Sequence, residues 1–82
     1  MAKIIDLKIS SLYFDDVQCG KKTFELRFND RQYDVGDILI LREFDGVDFT
    51  GRIVSVVITY ILQDCGFGLV DNYVILGIAL HE

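Results

Sequence analysis

The eleven residues RIVSVVITYIL, Arg52 to Leu62, leave the chain few choices of fold. Seven of them are Ile, Val or Thr, stiff at χ1 and better suited to a pleated strand than to a helix. Apolar residues occupy both parities, so a strand here has no wholly polar side and needs a sheet covered on both faces or curled into a barrel. The 82 residues suffice for one domain, 1–82, with a single core and no metal or disulfide staple.

The partners of this strand are legible on either side. Asp37 to Phe44 is nearly continuous apolar sequence, followed by Asp45-Gly46 and a further strand after Phe49, which reads as a hairpin. Tyr73 to Leu80 supplies a last buried strand, after a glycine-bearing turn at residues 63–68. That turn is no phosphate loop, since neither a GK[ST] nor a helix follows. Gly51 marks a bulge or a close backbone approach, and Arg52 either reaches a cleft or caps a neighbouring acid.

Near the N-terminus, Lys3 to Ile9 alternates as a first strand. Ser10 or Ser11 then caps a short helix whose Leu12, Tyr13, Phe14 and Val17 face the body, and Gly20 suits the left-handed turn that ends it. From Thr23 the period becomes two, with Phe24, Leu26 and Phe28 on one face and Thr23, Glu25 and Arg27 on the other. Five or six strands and one helix make the expected class mainly β with a short helix (α+β), a small barrel or strongly curved sheet with the helix covering one end.

Hydrophobic residues make up 51% of the chain, but they come in short runs, which excludes a span of about 20 apolar residues. MAKIIDLKIS has no apolar core followed by a small-residue cleavage site, so a cytoplasmic protein is expected. Cys19 and Cys65 lie far apart, with no CxxC spacing and no histidine nearby; both are expected reduced and packed, and neither a metal nor a cofactor is expected.

Charge is uneven. The chain carries a formal −5, yet Gly20 to Arg31 holds Lys21, Lys22, Arg27 and Arg31 against Glu25 and Asp30, a local +2 that leaves −7 for the remainder. A protein that neutralises an extended duplex should be basic over a broad face. An acidic body with one basic island instead suits a ligand with one or a few negative charges, held at one spot and repelled elsewhere. The bland alternative is a solvated, salt-bridged strand end. Arg31 and Arg42 with Glu43 extend such a site or balance nearby aspartates.

Within that island Gly20, Lys22, Glu25 and Arg27 match the GxKxxExR signature of the ASCH superfamily. The flanking LKI, YF, NDR, VGDILILREFD and FTGR extend the match, so that nearly the whole chain resembles a small bacterial ASCH-like family of unknown function. The resemblance implies a β-barrel related to the RNA-binding PUA domains. It also implies that Lys22, Glu25 and Arg27 line a cleft between helix and barrel that takes RNA or a nucleotide-like ligand.

The residue chemistry agrees. Arg27 offers a planar fork for a phosphate or base edge, Lys22 a point charge, and Glu25 a group that orients both or accepts from a base amino group. Lys21 and Arg31 add charge. Of the nearby aromatics Tyr13, Phe14, Phe24 and Tyr33, the last, in a polar loop, is the best candidate to stack on a base.

Another branch resembled is an amidohydrolase acting on acylated cytidine, with a lysine in the position of Lys22. Here Glu25 stands where that branch has threonine. Lys22 as base or nucleophile and Glu25 as proton carrier would make such an enzyme, or a ribonuclease-like one. A protein-interaction or regulatory module is the third reading. The partner expected first is short single-stranded RNA or a nucleotide-like small molecule, with no membrane, no extended duplex DNA and an open oligomeric state.

Overall fold

The structure, a computed structural model, describes residues 2–63 and 66–81; Cys65 lies outside them. Strand β1 (Ile4–Ser10) buries Ile5, Leu7 and Ile9 and exposes the residues between, as its alternation predicts. Ser10 caps helix α1 (Ser11–Gln18), its hydroxyl accepting from the Leu12 amide at 3.1 Å. Eight residues make too short a helix to persist alone, so α1 depends on what it buries. Only Phe14 and Val17 do so; Leu12 and Tyr13, expected to face the body, are exposed. Gly20, at φ +82°, turns the chain out of the helix in the left-handed region. Cys19, expected packed, is exposed beside it.

Four more strands follow: β2 (Phe24–Phe28), β3 (Ile38–Phe44), β4 (Phe49–Leu62) and β5 (Tyr73–Leu80). The two segments expected after the Asp45-Gly46 turn are one 14-residue strand. All five form a single sheet in the order β1-β3-β4-β5-β2, with β1 and β3 parallel and every other pair antiparallel. In the hairpin turn, Asp45 Oδ1 accepts from the amides of Val47 and Asp48.

Two irregularities bend the sheet. Opposite Arg42–Phe44 the register of β4 slips, with Gly51 at φ +94°, and this is the bulge its sequence implies. A second slip lies between Ile58 and Tyr60, opposite Gly77. A Cβ on Gly77 would stand 3.1 Å from the Thr59 hydroxyl, so a larger residue there would crowd the bulge.

The result is a curled half-barrel whose concave face holds one core of Phe14, Val17, Leu39, Leu41, Val56 and Leu76, all essentially inaccessible, with α1 across it. The outer strands β1 and β2 are not paired with each other. On β2 the charged face is the inner one. Glu25 is 5% exposed, whereas Phe24, Leu26 and Phe28 point outward about half exposed, Phe28 meeting Tyr73 edge-on at 5.5 Å. Among the described residues no helix is long and apolar enough to cross a membrane.

Candidate ligand-binding site

The opening between β1 and β2 is spanned by a side chain. Arg27, on the inner face of β2, donates from Nη2 to the Lys8 carbonyl oxygen of β1 at 2.8 Å and to Glu25 Oε2 at 3.3 Å. Its Nε is buried and, among the described residues, has no hydrogen-bond partner. A buried donor left unsatisfied costs about 1–3 kcal/mol, so this guanidinium is held short of its full complement of acceptors.

The other oxygen of Glu25 faces Lys22. Lys22 Nζ donates to Glu25 Oε1 at 3.2 Å and to the Phe24 carbonyl at 2.7 Å, and lies over the rings of Tyr13 and Phe24 at 5.3 and 4.7 Å. The turn at Gly20 delivers Lys22 to this place, and the strand's period of two puts Glu25 and Arg27 on the same face. The signature is therefore a row of three charges with one buried carboxylate between two cations. Glu25 has both oxygens engaged, one by each cation, and the Lys22 ammonium has two acceptors, the Phe24 carbonyl and Glu25.

The row separates two clefts. One, about 280 Å³, lies in the opening and brings together Arg27, Arg31 and Tyr33 with Lys8. Its two acids are already paired, Asp6 with Arg42 at 3.3 Å and Asp30 with Arg31 at 3.8 Å. The other, about 480 Å³, lies on the helix side between Tyr13, Lys22, Phe24, Glu25 and Leu26. The predicted residues thus do not share one cavity. Lys21 is exposed and lines neither.

Tyr33, expected to project from a polar loop, is only 6% exposed and belongs to the core, meeting the cleft as part of its wall. Burial pushes its phenol above the ordinary value, while the Arg27 charge pulls the other way. Sequence reasoning missed Lys8. It has no ion pair among the described residues, only the Phe44 ring 4.4 Å below its ammonium. The missed signal was topological, because Lys8 reaches this cleft only once β1 and β2 become the two edges of the sheet.

A second buried carboxylate is structural. Arg52 grips Glu43 with two prongs at 2.8 Å, Nε on Oε1 and Nη2 on Oε2; the Thr50 hydroxyl adds a third bond at 2.6 Å, and Nη1 reaches Asp15 at 3.0 Å. Of the two roles open to Arg52, the structure gives it the capping one. Arg42 likewise balances Asp6 rather than joining the cleft. A third buried acid, Asp37, went unnoticed in the sequence. Burial pushes its carboxyl up, but bonds from the Lys3 and Asp34 amides and the Lys3 ammonium outweigh burial and hold it below the ordinary range. Among the described residues no group of three or more His, Cys, Asp and Glu forms a metal site.

Glu43 sets an acid limit on the fold. The Arg52 hydrogen bonds, then the Thr50 hydroxyl, lower its carboxyl from the ordinary 4.5 to about 2. The folded state therefore binds this proton less readily than the unfolded chain, so the carboxylate's stabilisation is complete above about pH 4.5 and is lost as pH falls towards 2. Urea midpoints measured from pH 6 to 2.5 should fall more steeply for the wild type than for Glu43→Gln. Parallel curves would remove Glu43 as the cause.

The same charged row and sheet can be set beside known sequences. The family model described as "Domain of unknown function (DUF3850)" matches residues 4–78, from the start of β1 almost to the end of β5. The chain belongs to this family. It is also 43% identical, over all 82 residues, to the "Uncharacterized 12.9 kDa protein in GpA 3'region" of Escherichia phage P2, 73% of whose length it covers. The match takes in both edge strands and the whole signature row.

Proposed function

We propose that this domain binds a short single-stranded RNA or nucleotide-like ligand in the cytosol, placing a phosphate in the opening between β1 and β2. The observation that carries this reading is Arg27, a partly exposed guanidinium that lines one cleft with Arg31 and Lys8 and whose Nε has no acceptor among the described residues. Such a group is short of an acceptor, and a phosphate offers several in the planar fork geometry that arginine matches. The acidic remainder of the surface limits how much nucleic acid can lie along it, which favours a short strand over an extended duplex. The ASCH resemblance supports the same reading through the same residues. Binding without catalysis is preferred to the hydrolase alternative, because Glu25 stands where the resembled amidohydrolase branch has threonine.

The test is an NMR titration with a mixed-sequence, 5′-phosphorylated tetraribonucleotide pool. Loss of a charge-assisted bond of about 1.5–3 kcal/mol predicts that Arg27→Ala weakens binding by roughly tenfold or more. Lys21→Ala, which removes one exposed charge of the same island, should cost much less. Equal losses from the two variants would reduce the site to bulk charge, and an unchanged affinity in a folded Arg27→Ala protein would end the proposal.

A further inference from the structure

Lys8 lines two clefts at once. Beyond the opening that holds Arg27 and Arg31, its side chain borders a neighbouring depression of about 400 Å³ at the junction of β1, α1 and the β3–β4 turn. That depression has an apolar wall of Leu12 and Phe44, with Ser10 and Ser11 beside it. Leu12 is 81% exposed, leaving most of its side chain open at this cleft. Asp45, the one acid at this cleft, spends its Oδ1 on the amides of its own turn.

We propose that the ligand is a single strand of at least two nucleotides. One nucleotide sits at Arg27, Arg31 and Tyr33, Lys8 takes the phosphate that joins it to its neighbour, and the neighbouring base lies on Leu12 and Phe44. This inference rests on the binding reading above and adds its length and direction. Three features carry it. The two clefts adjoin at one shared lining residue, Lys8. That side chain is a cation with no carboxylate partner among the described residues, lodged on the Phe44 ring. The far cleft offers a mainly apolar surface and, beyond Lys8, only the carboxylate of Asp45, which suits a base and not another phosphate.

The test compares two probes by NMR titration, an equimolar mixture of the four nucleoside 5′-monophosphates and the mixed-sequence tetraribonucleotide pool. A second phosphate and a second base contact worth about 1–3 kcal/mol predict that the oligonucleotides bind roughly tenfold more tightly. Their amide shifts should extend from Arg27–Tyr33 to Lys8, Leu12 and Phe44. Leu12→Asp places an acid where the start of α1 tolerates one, and it should bring the ratio of the two affinities close to one. Lys8→Ala should narrow the ratio and flatten its salt dependence.

A wild-type ratio near one, with shifts confined to Arg27–Tyr33, overturns the two-nucleotide inference and leaves the binding reading standing. So does a ratio that survives Leu12→Asp. No shift with either probe overturns both.

Discussion

Phe14→Ala is expected to unfold much of the protein under conditions where the wild type is folded. Phe14 is wholly buried, and with Val17 it is one of the two apolar side chains that α1 buries against the sheet. Removing a buried phenylalanine side chain costs about 3–5 kcal/mol through lost transfer energy and the cavity left behind. At about 0.05–0.15 kcal/mol per residue, a domain of this length has roughly 4–12 kcal/mol in all. The loss is compounded because the Arg52 guanidinium lies 4.5 Å over the Phe14 ring while it holds Glu43, so the ring also supports the half-exposed partner of a buried carboxylate. Urea denaturation followed by far-UV circular dichroism measures the effect. A drop of less than about 1 kcal/mol would mean that α1 is not anchored through Phe14.

How much of this was readable beforehand differs from element to element. Strand and hairpin signals act through neighbours in sequence, so β1, the Asp45-Gly46 turn, the Gly51 bulge and β5 all stand where their residues place them. Which face of an element turns inward depends on partners remote in sequence. Leu12 and Tyr13 look like core because they are apolar and next to Phe14, but an eight-residue helix crossing a curled sheet presents only a narrow stripe, and Phe14 and Val17 fill it. On β2 the inversion is greater. Glu25 is inside because Lys22 and Arg27 neutralise it there, and a charged inner face with an apolar outer one runs against the usual expectation for a strand.

The same limit applies to the site. The signature could be found by its spacing, whereas Lys8 joins it only through the strand order, nineteen positions from Arg27 and across the open edge. The polar neighbours of Tyr33 point to a loop position, yet the residue belongs to the core and forms part of the cleft wall. Glu43 and Arg52 form a pair nine residues apart because the Gly51 bulge turns Arg52 back towards β3. A charged residue in a small sheet thus declares its type in the sequence, and its role only after the register is fixed.

Glu25→Gln should separate what the signature does for the fold from what it does for a ligand, because the two effects have opposite signs. Glutamine keeps the shape and one acceptor, but it removes the only negative charge between Lys22 and Arg27. Stability should fall by about 1–3 kcal/mol, the range for hydrogen bonds to charged groups, and below the 3–5 kcal/mol of a fully buried pair because both cations retain some solvent. Affinity for the phosphorylated oligonucleotides should rise, since the carboxylate that competes with the phosphate for Arg27 is gone. Added salt should erode that gain as it screens the newly uncompensated charge.

A purely structural signature would lose stability with no change in affinity. A carboxylate that instead holds the two cations in a geometry the ligand requires would lose both. Either result, in a protein still folded by its NMR spectrum, would refute the competitive role assigned to Glu25, and the second would make it part of the recognition surface itself.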